Sequence, residues 1–143
     1  MMKLMAGLDS SVSALQAERV RLEVLSQNIA NANVTKAANG QPYQRQIVRF
    51  ETILQEKLGQ DSEAVPQAVK VARIIKDNRP PNEVYQPGHP DADPATSLVR
   101  YPNVNIHEEM ADMIASSRAY EANLAVVKNA RTMTLQTLAI GRR

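Results

Sequence analysis

Residues 102–143 read PNVNIHEEMADMIASSRAYEANLAVVKNARTMTLQTLAIGRR, and after Pro102 neither Gly nor Pro recurs until Gly141. In that stretch Ile106, Met110, Met113, Ile114, Tyr120, Leu124, Val127, Leu135 and Leu138 fall on one broad face at helical spacing. This predicts a single long amphipathic helix. Asn105 followed by Glu108 fits an Asn-for-Ser version of the capping box, and Glu109 and Asp112 sit near the positive end of the helix dipole. Gly141 supplies a stop, with Arg142 and Arg143 complementing the negative end.

The other end of the chain mirrors this one. Between Gly7 and Asn39 there is no further Gly or Pro, and Met1, Leu8, Leu15, Leu22 and Ile29 repeat every seven residues, with Leu4 and Leu25 at a companion position and Val12 beside them. A seven-residue apolar repeat reads as a coiled-coil-like stripe, and residues 4–32 as a helix of roughly 43 Å. Ser11 and Glu18 stand where Leu is expected, so whatever packs there must tolerate or pair with them. A chain this small cannot cover two such helices entirely, so each needs the other or another molecule.

Between the helices, residues 43–101 hold every Pro except Pro42 and Pro102 and shift to short β-prone runs at 43–50, 69–75, 84–85 and 98–101. Turn chemistry separates them, as in Asn39-Gly40, Pro80-Pro81 and Pro87-Gly88-His89-Pro90. Residues 51–65 read as either a short helix or a loop. The expected fold class is mainly α with a small β module, the long terminal helices pairing as a coiled-coil-like bundle. The expected division is 1–42, an N-terminal helix and motif loop; 43–101, a small β-rich module; and 102–143, a C-terminal helix packing with 1–42.

Aromatic residues make up only 3% of the chain, so its core must come from aliphatic side chains, which favours helix-on-helix packing. The net charge of +2 is spread evenly, without the clustered Lys and Arg that nucleic-acid binding needs. The absence of Cys excludes disulfides and thiolate metal sites. Asp9, Ser10, Ser11 and Ser13 interrupt any apolar signal-peptide core, and no stretch approaches the ~20 apolar residues of a membrane span.

No constellation favours catalysis, and no cofactor is implied. His89, Asp91 and Asp93 alternate as in an oxygen-and-nitrogen metal site, but the surrounding prolines make a turn the better reading. His107-Glu108-Glu109 lacks the second His of a zinc-protease helix, since position 111 is Ala. The run Ser26-Gln27-Asn28-Ile29-Ala30-Asn31-Ala32-Asn33 supports two readings. It ends the first helix, or Asn28 and Asn31, three apart on one face, bond a neighbouring chain and fix register.

The segments SQNIANANVT, NGQPYQRQIVRFE, VYQPGHPDAD and YPNVNIHEEMADMIASSRAYEANLAVVKNARTMTLQTLAIG, in this order, resemble bacterial flagellar rod, hook and related axial proteins, and among these the proximal-rod members. The resemblance implies paired terminal helices in the rod's inner tube, a β-containing middle outside it, and torque transmission. It also implies export through the flagellar type III apparatus without a cleaved signal, to the periplasmic part of the rod. Partners implied are other rod proteins, copies of the chain itself, and neighbouring ring or adaptor components of the basal body. Subunit contacts are expected at Leu8, Leu15, Leu22, Leu25, Asn28, Ile29, Asn31, Asn105, Met110, Met113, Tyr120, Leu124, Val127 and Leu138. Ala30 and Ala32 are expected to close the first helix, Pro102 to Asn105 to lead into the second, and Glu109 and Arg118 to be core or contact residues. The family commonly has Gly-Tyr-Val before its Pro-Asn-Val-Asn motif, whereas this chain has Thr96-Ser97-Leu98-Val99-Arg100-Tyr101. A different rod or hook-type subunit, and a cytosolic helical adaptor, are the alternative readings.

Overall fold

The computed structural model describes residues 2–54 and 67–141. Helix α1 (Met2–Ala30) is followed by strands β1 (Gln46–Leu54), β2 (Gln67–Lys76), β3 (Asn82–Tyr85) and β4 (Leu98–Tyr101), then by helix α2 (Ile106–Ile140). Met1, the side chain of Leu4, residues 55–66, Arg142 and Arg143 lie outside the described residues.

The two long helices pack on each other and run antiparallel, because Asn28 meets Glu109 while the earlier Glu18 meets the later Ser116. On α2 the inward positions recur at sevens. Glu109, Ser116 and Ala130 are buried, Asn123 between them is half-buried, and Met113, Tyr120 and Val127 form the companion row. Among the described side chains of α1 the buried ones are Ala17, Val24, Leu25 and Asn28. The expected Leu seam is therefore displaced: Leu8, Leu15, Leu22 and Ile29 are only half-buried, and Val12 is exposed. Small and polar side chains on α2 draw it over Ala17 and Val24, leaving the bulkier row on the flank. Glu18 finds its partner on α2, where the Ser116 hydroxyl donates to its carboxylate.

The predicted α2 face likewise divides. Ile106, Met110 and Ile114 are exposed, and everything from 131 to 141 is exposed, including Leu135 and Leu138. At its start, the Asn105 side chain accepts from the His107 backbone N–H at 3.1 Å, while Glu108 takes a 3.3 Å bond from the Asn105 amide. Glu108 thus engages the cap's side chain where a full capping box would engage its backbone. Gly141 ends the helix in a right-handed conformation, so its lack of a Cβ is not what stops it.

β1 and β2 pair antiparallel from Gln46↔Lys76 to Leu54↔Gln67, with a bulge between Arg49 and Phe50. The strand thus claims residues 51–54, for which helix or loop was expected. This hairpin lies against α1, where the Val69 N–H donates to Ser13 Oγ at 3.1 Å and the Arg21 guanidinium stands 6.0 Å from the Phe50 ring centre. β3 and β4 form a second, shorter hairpin, Asn82↔Tyr101 to Tyr85↔Leu98. It is tied to the loop after α1 by Thr35 donating to Asp91. Fully buried Val99 anchors it, a burial that contributes about 2 kcal/mol.

Ser97, just before β4, has a φ of 55°, the left-handed region that a Cβ disfavours. Glycine enters that region without penalty. Ser97→Gly is expected to stabilise the chain by about 1 kcal/mol, read as a rise in the denaturation midpoint.

Candidate functional site

Several separate stretches of chain converge on Glu109, whose side chain is fully buried at the first turns of α2. One carboxylate oxygen accepts from Asn28 Nδ2 at 2.8 Å, and the other is bonded and ion-paired to Arg45 Nε. Asn28 has no exposed surface. Its Oδ1 accepts from the Tyr43 hydroxyl and the Gln46 backbone N–H, both at 2.9 Å, and its amide also donates to the Gln46 carbonyl. These bonds use both donors and both acceptor sites of one side-chain amide. Arg45 stands 3.6 Å from Asp77 and 3.8 Å from Asp112. Its backbone N–H donates to Asn103, whose amide in turn holds the carbonyls of Asp77 and Arg79.

Among the described residues no buried side-chain nitrogen or oxygen lacks a hydrogen-bond partner. That completeness decides the energetics. A buried ion pair is costly to desolvate and adds little net stability, but a half-satisfied one is strongly unfavourable. The cluster therefore fixes alignment. Sliding α1 along α2 by one turn, about 5.4 Å, would strand a buried carboxylate and a buried amide together.

Electrostatics follow the same geometry. Burial pushes the Tyr43 phenol up, and the Glu109 charge adds to the effect. Burial works against the Arg45 charge, but the bond and charge of Glu109, then those of Asp77, outweigh it and hold the guanidinium above its ordinary value. Burial also acts to raise Asp77, yet the Arg79 backbone N–H, the Arg79 guanidinium and Arg45 together hold it below its ordinary value. A lowered carboxylate contributes stability that is present above its unfolded value, near pH 4, and is lost as pH falls through the folded value. Asp77→Asn is expected to cost about 2 kcal/mol at pH 7 and to flatten the acid limb of a stability-versus-pH curve below pH 4.

The predicted contact residues are distributed unevenly around this cluster. Asn28 is at its centre and Leu25 is buried beside it in sequence, whereas Leu8, Leu15, Leu22, Ile29 and Asn31 are half-buried. Asn31 does not share the bonds of Asn28: its amide caps Gln27 of its own last turn at 2.8 Å. Met113, Tyr120, Leu124 and Val127 are half-buried on α2, and Asn105, Met110 and Leu138 are exposed. Tyr43, Arg45, Asp77 and Ser116 were not anticipated, and Asn103 was expected only to lead into α2. The available signal was phase, since Glu109 occupies the same seven-residue row as Ser116, Asn123 and Ala130. His89 and Asp91 form a turn, in which the Asp91 N–H donates to His89 Nδ1 at 3.1 Å.

Comparison with known proteins gives this architecture its class. Residues 8–37 match the family model described as flagella basal body rod protein, and residues 96–140 match that of the flagellar basal body rod FlgEFG protein C-terminal. Helix pair and flanking motifs together define a bacterial flagellar basal-body rod protein. The chain is 40% identical over 140 residues to the flagellar basal-body rod protein FlgC of Yersinia enterocolitica, covering 98% of this chain and 99% of that one. It is 38% identical over 147 residues to FlgC of Bacillus subtilis, covering 95% and 97%. With FlgC of Borreliella burgdorferi the identity is 36% over 149 residues, covering 97% and 98%. The chain belongs to the FlgC family and is a structural, non-enzymatic subunit of the rod. As a rod protein it assembles with other rod proteins. No helix among the described residues is long and apolar enough to cross a membrane.

Proposed function

We propose that the clamped helix pair is a rigid unit of the proximal rod wall, and that the outward row of α2 is the seat for neighbouring rod subunits. The observation that carries this reading is an inversion. The face α2 turns toward α1 holds Glu109, Ser116 and Asn123, while Ile106, Met110 and Ile114, four residues apart, are 38%, 51% and 56% exposed. An apolar row left outside while polar groups are buried fits a chain completed by others. Residues 131–141 extend the argument, since Met133, Leu135 and Leu138 are 57–60% exposed and Ile140 is 77% exposed.

In this reading 1–42 and 102–143 act as one assembly element and 43–101 as an outer module. The neighbours are other rod proteins and further copies, with ring or adaptor components at the base. Torque passes through the helix pair because the clamp resists sliding. Family membership supports passage through the flagellar export apparatus without a cleaved signal, to the periplasmic part of the basal body. The test is incorporation: a chain carrying Met110→Glu and Ile114→Glu should fold yet be missing from purified basal bodies. Wild-type levels of the variant in those basal bodies contradict the reading.

A further inference from the structure

Away from the helices, β1 and β2 place Arg49 directly opposite Arg73. Like charges facing each other across a strand pair destabilise it, and both side chains are exposed. Neither is ion-paired among the described residues. The bulge falls at this same step, between Arg49 and Phe50, where bulges re-aim side chains. Arg49, Phe50, Glu51, Arg73 and Ile75 line a cavity of about 420 Å³, and Arg21 approaches the same Phe50 ring from α1. The two strands carry Arg49, Lys70, Arg73 and Lys76 against Glu51 alone. This is a basic hollow with an aromatic and aliphatic floor, maintained at some cost to the hairpin.

The opposite charge is in the chain itself. Residues 77–112 carry seven carboxylates against two arginines. Several of these serve Arg45 and Arg79, but Asp91 and Asp93 lie exposed on the loop between β3 and β4. Asp91 Oδ2 accepts from Thr35 at 2.7 Å and Asp93 Oδ1 from the Ala95 N–H at 2.9 Å. Each keeps its second oxygen for another partner. We infer that the Asp91/Asp93 loop of one copy docks onto the Arg49/Arg73 hollow of a second copy, a contact between outer modules separate from the helical seats. Two different patches meet, so the contact is heterologous and continues from copy to copy. The rod reading places the copies side by side; the charge complementarity chooses the patches.

The test reverses the charges in the full chain and measures self-association by sedimentation equilibrium at low and high salt. Arg49→Glu with Arg73→Glu should weaken association about tenfold, and so should Asp91→Lys with Asp93→Lys. An equimolar mixture of the two variants should recover it, because the reversed hollow of one now fits the reversed loop of the other. The wild-type association should itself fall as salt rises. Absence of wild-type self-association, or failure of the mixture to recover, overturns the inference. Incorporation of each variant into basal bodies, scored in parallel, tests the rod reading independently, since the helical seats are unaltered.

Discussion

Arg45→Met is expected to destabilise the folded chain by about 3–5 kcal/mol, lowering its unfolding midpoint by roughly 10–15 °C. The substitution keeps the apolar stem but leaves Glu109, with no exposed surface, holding a charge that only Asn28 still bonds. It also releases Asp77 and Asp112 from their shared cation. The companion experiment is the double variant Arg45→Met, Glu109→Met. Removing both charges abolishes the stranded ion, so the pair should be about 2 kcal/mol more stable than Arg45→Met alone. Chemical denaturation of the two single variants and the double completes the cycle. Additive losses would mean that the two residues act independently and that no clamp exists.

The second large effect concerns assembly alone. Met110→Glu with Ile114→Glu should leave the isolated chain within about 1 kcal/mol of its original stability, because both side chains are about half exposed and Glu is a good helix former. Incorporation into rods should nevertheless fall about a hundredfold, as expected when charges enter the desolvated centre of an interface. The contrast between an unaltered melting curve and an empty basal body is the informative result. A control pair of Glu substitutions at Ala111 and Ala115, exposed on a different side of α2, should assemble normally.

The helices were legible in the sequence because nothing interrupts them: no Gly or Pro lies between Leu8 and Asn39 or between Asn103 and Ile140. The four strands were legible for the complementary reason, each being a β-prone run bounded by turn residues. What periodicity could not resolve was the phase of packing. The conspicuous row Leu8, Leu15, Leu22 and Ile29 ended on the flank, since a helix offering Glu109, Ser116 and Asn123 approaches most closely over Ala17 and Val24. Hydrophobicity reports which residues avoid water, and small residues that permit close approach leave almost no trace in it.

The clamp was hidden for a related reason. Asn28 was recognisable as unusual, but its partners Tyr43, Gln46 and Glu109 come from 15 to 81 positions away. No local pattern marks such a meeting. Asp77 and Asn103 are likewise far in sequence from the Asn-rich run, and each looks like an ordinary turn residue. By contrast the metal-like spacing at His89, Asp91 and Asp93 was visible, and its loop bonds agree with the turn that the flanking prolines indicated.

A density map of the intact basal body, resolved well enough to trace side chains, tests the account most directly. It should show α1 and α2 antiparallel in the rod wall, Asn28, Arg45 and Glu109 bonded within one subunit, and Ile106, Met110 and Ile114 covered by a neighbour. A map in which that α2 row faces open solvent, or in which Glu109 is paired to a different subunit, contradicts it.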